Sequence, residues 1–400
     1  LSLSSLFSTR TAIPRQPNRL TEALERARLG GGPVLDLTVS NPTTAGISYA
    51  KNEIIAALAT SETLTYIPSP LGLPEMRQAI AATYREIGVA VDEGRIVPVA
   101  STSEAYSFLA KLLCDSDDEI LVPSPSYPLF DLLGRFEGVR LTSYPLAYDG
   151  GWHIEVESLR RLISPRTRAI FVVTPNNPTG SYLKMDELRG LAGLGLPIVS
   201  DEVFSSFPLT PPRSGGRARA ASVLAEGSEA GLVFALSGLS KLAALPQMKL
   251  AWICVGGGDR EKTSEALERL ELLSDTFLSV GTPVQLAASQ LLATRGAATD
   301  AIRARLARNL TVAAAAVRES AVSLLDVEGG WYATLRLPGT ESDEAWALSF
   351  LQQDHVYVHP GHFFDFADGA YAVVSLLTPE AIFSEGMQRL VERVESGVRP

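Results

Sequence analysis

The chain has 400 residues, 46% of them hydrophobic and 20% charged, which excludes a disordered polymer and leaves ample material for a buried core. Lys and Arg number 35 against 45 Asp and Glu, and the formal net charge of −10 has the wrong sign for a coat on nucleic acid or on an anionic membrane. Two cysteines, Cys114 and Cys254, both inside apolar runs, exclude a disulfide scaffold and cannot by themselves build a structural zinc site. Residues 1–15 carry scattered Ser and Arg but no apolar signal core, and no stretch approaches the roughly 18 consecutive apolar residues of a membrane span. A soluble, cytoplasmic protein is expected.

Apolar residues at helical spacing predict a helix over 103–113, followed by a buried strand at 120–122. Short apolar runs at 169–173, 198–200, 232–236 and 250–255 read as further buried strands, with a helix at 185–194 among them. After a boundary near Gly281 comes a helix at 283–294 and a helix-rich stretch to about Glu319. The tail reads as strands at 331–337 and 371–377 and a helix at 382–394. Residues 210–221, with Pro211-Pro212 and Gly215-Gly216 among arginines, read as a solvated surface loop, and no internal repeat is present. The alternation predicts an α/β fold: a large domain, 46–282, with a mainly parallel sheet flanked by helices, and a smaller α+β domain formed by both chain ends, 1–45 and 283–400.

In such sheets ligands bind beyond the carboxyl ends of the strands. Three strand ends carry suitable groups: Asn177-Pro178-Thr179-Gly180 after 169–173, Asp201-Glu202-Val203-Phe204 after 198–200, and Ser240-Lys241 after 232–236. Together they offer an amide, a carboxylate and an amine. Each alone also has a plain reading, as a turn, a helix cap and a solvated lysine.

Taken in order and spacing, these pieces resemble the fold type I pyridoxal-phosphate enzymes, and within them the class I/II aminotransferases. The resemblance runs from about Asp36 to Leu390. It is supported by Tyr66-Ile67-Pro68-Ser69-Pro70-Leu71-Gly72, by Ser101-Thr102-Ser103-Glu104-Ala105, by Pro123-Ser124-Pro125-Ser126-Tyr127 and by Pro360-Gly361-His362-Phe363-Phe364. It implies a seven-stranded sheet and a homodimer using pyridoxal 5'-phosphate, an amino donor and a carbonyl acceptor in a ping-pong transamination. Lys241 is implied as Schiff-base residue and proton shuttle, which needs an amine kept partly neutral. Asp201 is implied to hold the ring nitrogen protonated, Asn177 to bond the ring's 3-oxygen and Tyr127 to stack on the ring. Thr102 and Ser103, at a helix start, with Ser240 and Lys249, would hold the phosphate, and Tyr66 would reach it from the partner subunit.

Four positions depart from the family pattern. Phe204 replaces a common Tyr, Gly238 a common Ser, and Lys249 a common Arg that would fork onto the phosphate. Val373 stands where an Arg usually clamps the substrate carboxylate. Substrate contacts are therefore sought at Ser40, Asn41, Arg15, Arg19, Arg336 and His362. A β-elimination lyase on the same scaffold and a non-catalytic cofactor-binding sensor are the alternatives to an aminotransferase.

Overall fold

Strand runs that are apolar at nearly every position, rather than at every second one, need cover on both faces. In the computed structural model, which describes residues 6–13, 16–210, 217–226 and 230–398, they obtain it. Ile198–Asp201, Val233–Gly238 and Ala251–Gly256 are buried along their whole length, beside Glu119–Ser124 and Thr167–Val173. Ile96–Val99, Arg140–Tyr148 and Trp152–Ile154, which the apolar pattern did not announce, complete a sheet of eight strands. The order across it is 96–99, 251–256, 233–238, 198–201, 167–173, 119–124, 140–148, 152–154.

Strand 251–256 is antiparallel to both neighbours, and the inner pairs on the other side of 233–238 are all parallel. The eighth strand, one more than the seven implied, is a hairpin return: Trp152 pairs with Tyr148 across Asp149-Gly150-Gly151, where Gly150 takes φ 97°. Six strands thus run one way, so their carboxyl ends share one edge.

Helices cover the sheet and start where side chains cap them. Ser101 accepts from the Glu104 amide ahead of Thr102–Leu113, and Asp259 accepts from the Lys262 amide ahead of Arg260–Phe277. Thr282–Ala293 packs on the large sheet's side: Val284, Ala287, Ala288, Leu291 and Leu292 share a core with Met76 and Ile80. Residues 283–293, placed by the sequence in the smaller unit, therefore belong to the larger core, because the apolar face of this helix meets Lys51–Leu58 and Pro74–Glu86.

The smaller unit centres on an antiparallel sheet in the order Ser323–Leu324, Tyr332–Leu337, Ala370–Ser375, His359–Pro360. The N-terminal segment joins it through parallel pairing of Leu35–Asp36 with Val356–Tyr357, and Leu20, Leu24 and Leu37 enter the core that holds Trp331 and Phe350. Asn309, fully buried on Gly296–Ala316, donates both Nδ2 hydrogens, to the Leu376 and Thr378 carbonyls at 2.8 Å each, and so ties this helix to the end of the sheet. Among residues 210–221, Arg219 is docked on Glu328 and the Tyr182 ring, while exposed Arg217 pairs with Asp186 and Glu187. Residues 211–216 lie outside the described residues. No described helix is long and apolar enough to cross a membrane, and Cys114 and Cys254 are both free.

Replacing Asn309 by Ala leaves two buried carbonyls without donors, and the expected loss is about 2–4 kcal/mol of unfolding free energy. Urea denaturation of the variant against the parent chain measures it, and an unchanged midpoint would refute the tie.

Candidate active site

Along the shared carboxyl edge the loops after five parallel strands and two residues of the smaller unit enclose a cavity of about 250 Å³. Its lining includes Thr102 and Ser103, Tyr106, Tyr127, Asn177, Asp201, Phe204, Ser240 and Lys241 from the large sheet, with Ser40 and Tyr332 across from them. Eight of the sequence-proposed cofactor residues are thereby brought together from five chain segments.

Asp201 ends its strand, and its carboxylate turns into the cavity while Glu202 turns away. Glu202 accepts from the Val223 amide at 2.9 Å and the Ser222 hydroxyl at 3.1 Å, and burial pushes its carboxyl up to about 7. Asp201 Oδ2 accepts the Tyr106 hydroxyl at 2.7 Å and Oδ1 accepts the Val203 amide at 3.1 Å. Burial raises the Asp201 carboxyl, and these two donors and the Lys241 charge oppose the rise.

Lys241 lies in the short helix Leu239–Leu242 directly after its strand. Its Nζ sits 5.1 Å from the centre of the Trp331 ring and 5.5 Å from that of Phe204. Burial lowers its pKa, which enlarges the neutral, nucleophilic fraction; Asp201 acts the other way. The Asn-Pro-Thr-Gly turn divides its amides. Asn176 builds the loop, accepting from the Gly180 amide and the Thr179 hydroxyl, with Gly180 at φ 73°, while buried Asn177 faces the cavity and its Oδ1 has no partner among the described residues.

At the other end, Ser101 is occupied in capping, and Thr102 and Ser103 project at the start of a 12-residue helix whose first amides point toward the cavity. A flat anionic ring compound suits this set of groups. A buried amine, an acid fixed at a strand end, an amide with unused hydrogen-bonding capacity, an open aromatic face on Tyr127 and a helix N-terminus match the aldehyde, ring nitrogen, ring oxygen, ring face and phosphate of pyridoxal phosphate.

Several sequence candidates lie outside the cavity lining. Lys249 is exposed in the left-handed region (φ 53°) just before Ala251–Gly256. Tyr66 is 73% exposed and lines a separate crevice with Ser274, Leu278 and Gln285. Asn41 closes an Asx turn, its Oδ1 accepting the Thr43 amide and hydroxyl at 3.0 and 2.7 Å. His362 donates its backbone amide to Asp343 at 2.6 Å and its ring contacts the same carboxylate at 3.2 Å. Arg336 lies exposed over the Tyr148 and Tyr371 rings, and Arg19 pairs with Glu344. Arg15 lies outside the described residues. Val373 is fully buried between Thr334 and His359 on the neighbouring strands, and Thr334 Oγ1 and His359 Nδ1 are buried without partners among the described residues.

The sequence reading missed Tyr106, Tyr332 and Trp331. Tyr106 was within reach, since i and i+4 share a helix face and Thr102 was already a candidate. Gly238, where relatives commonly have Ser, has a packing cause: an added Cβ would stand 2.9 Å from Ala251 Cβ and 3.0 Å from the Leu250 carbonyl oxygen.

The fold is that of solved aminotransferases. The chain superposes on alanine aminotransferase from Pyrococcus furiosus with a TM-score of 0.84 at 24% identity, covering 98% of this chain and all (100%) of that one. An aminotransferase from Mycobacterium tuberculosis gives 0.83 at 22% identity, with 98% and 100% covered. Residues 32–380 match the sequence profile described as aminotransferase class I and II, and the chain belongs to that family. Among curated relatives, nicotianamine aminotransferase 1 of Oryza sativa subsp. japonica is 27% identical over 63% of this chain and 51% of its own length. Aspartate/prephenate aminotransferase of Thermus thermophilus is 33% identical over 46% and 48% respectively. The chain thus spans about half the length of these curated relatives.

Substituting Gly238 by Ser is expected to cost about 1–3 kcal/mol through overpacking against the neighbouring strand. A thermal melt of the protein without added cofactor reads this, and an undiminished midpoint would show that the strand gives way.

Proposed function

We propose that this protein is a pyridoxal-phosphate-dependent aminotransferase working by a ping-pong route. The observation that carries the reading is the buried Lys241 amine in one cavity with the strand-end carboxylate of Asp201. When bound, the cofactor supplies an electron sink for a substrate carbon that has lost a proton. The chain supplies everything else. Lys241 Nζ takes the proton from the substrate carbon and returns it, a task suited to an amine whose pKa burial has lowered. Asp201 holds a proton on the ring nitrogen by opposing its charge. Asn177 bonds the ring oxygen, Tyr127 covers a ring face, and Thr102, Ser103 and Ser240 with the helix N-terminus receive the phosphate. Phe204, stacked edge-on to Trp331 at 5.4 Å, offers the ring no hydrogen-bond donor.

A homodimer fits the surface. Ile55, Leu64, Tyr66, Ile67, Leu272, Phe277 and Leu286 are exposed on elements that lie side by side, a large apolar area for a free monomer. Tyr66 on this face is then free to serve a second copy.

For the substrate, no guanidinium among the described residues lines the cavity, and hydrocarbon fills the strand position at Val373. We read the amino donor as one whose amine-bearing carbon carries no carboxylate. Two experiments test these statements. Borohydride treatment of the protein with pyridoxal phosphate should attach the cofactor to Lys241, seen as a modified peptide, and Lys241→Ala should abolish both this adduct and turnover; turnover by that variant would refute the role. In a donor screen without acceptor, simple amines and ω-amino compounds should convert the bound cofactor stoichiometrically to its amine form at least roughly tenfold faster than α-amino acids. Equal rates would refute the substrate reading, and catalytic ammonia release would point to a β-elimination lyase instead.

A further inference from the structure

We propose that Tyr106 is a positioning residue that holds the Asp201 carboxylate as an anion aimed at the cofactor's ring nitrogen. The inference rests on the cofactor reading above and adds a residue to it. Asp201 presents two oxygens, and each accepts one hydrogen bond from the chain: Oδ2 from the Tyr106 hydroxyl at 2.7 Å, Oδ1 from the Val203 amide at 3.1 Å. With both engaged, the carboxylate cannot rotate, and each oxygen keeps a lone pair for a ligand.

Tyr106 is itself held. Its ring stacks on Phe171 at 5.4 Å and 30° and meets Phe130 edge-on at 5.3 Å and 81°, and it is 5% exposed. A hydroxyl on so fixed a ring has one acceptor within reach, so the bond aims Asp201 rather than following it. The charged and titratable groups facing Asp201 are Lys241, Tyr127, Tyr106 and, from the next residue, Glu202. Lys241 is engaged by the cofactor on the proposed reading, and Tyr127 and Glu202 favour the neutral acid or a neutral neighbour. That leaves the Tyr106 hydroxyl and the Val203 amide to favour the anion against burial. Only the first belongs to a side chain. Without it the carboxyl protonates at higher pH, and a neutral acid does not stabilise a protonated ring nitrogen.

Tyr106→Phe keeps the ring packing and removes the donor. Apo forms of the parent and variant are titrated with pyridoxal phosphate and with its 1-deaza analogue, which has C–H in place of the ring nitrogen, by fluorescence quenching. The parent should prefer the natural cofactor. The variant should lose roughly tenfold in affinity for pyridoxal phosphate, the worth of a hydrogen bond to a charged group, while its affinity for the analogue stays unchanged. The loss should grow as the pH is lowered, as the less supported carboxyl takes up a proton. In an Asp201→Asn background, Tyr106→Phe should add no further loss. Equal losses for both ligands would reduce Tyr106 to packing, and an unaltered preference would remove it from the site; both overturn the proposal. A parent chain that does not bind pyridoxal phosphate would instead overturn the reading beneath it.

Discussion

The site depends on one constraint of chain direction. Six strands of the large sheet run parallel, so the loops that follow 96–99, 119–124, 167–173, 198–201 and 233–238 leave from one edge. A parallel strand must be re-entered through a crossover, and the helices of those crossovers start where the strands end. Thr102 and Ser103 at a helix N-terminus, Asp201 at a strand end and Lys241 one turn past another are consequences of that geometry. Strand 251–256, which runs against these six, confirms it by exception: its carboxyl end leaves from the opposite edge and adds nothing to the cavity.

The chemistry follows from burying opposite charges without joining them. Lys241 and Asp201 share a cavity but form no ion pair; aromatic rings flank the amine and two donors hold the acid. A direct bridge would fix the amine as a cation and end its use as a nucleophile. Keeping them apart leaves the amine with a pKa lowered by burial and the acid in want of a cation, which is the condition under which a site binds a ligand that supplies the missing charge.

What could be read in the sequence, and what could not, divides along the same line. Buried strands such as Ala251–Gly256, an unbroken apolar run from Ala251 to Val255, are legible without neighbours. Arg140–Tyr148 is not, because it lies toward the edge and mixes exposed Arg140 and Ser143 with buried Tyr144, and Ile96–Val99 carries Pro98. The chemical residues were legible because loops after strands carry few side chains for packing alone. Tyr106 and Trp331 were not, because an aromatic in a helix or strand looks like core until a neighbour's polar atom gives it a second role. Val373 was legible as a departure but not its setting, since only strand pairing sets it between Thr334 and His359.

That setting bears on which part of the molecule selects substrate. The roles proposed for the polar cavity residues of the large sheet are common to any reaction of the proposed cofactor. The opposite wall, Ser40 and Tyr332, comes from the smaller unit. Ser40 follows a two-residue strand paired only with Val356–Tyr357, and Tyr332 opens the strand paired with Ala370–Ser375, so both chain ends place the wall together. A charge at position 373 would lie behind that wall, next to two buried polar atoms that have no partner among the described residues. With valine there, the wall offers hydroxyls and hydrocarbon, and selectivity falls to shape and neutral hydrogen bonds. A neutral wall offers a carboxylate no counter-charge to offset its desolvation, and the proposal of a donor without a carboxylate beside its amine rests on that difference.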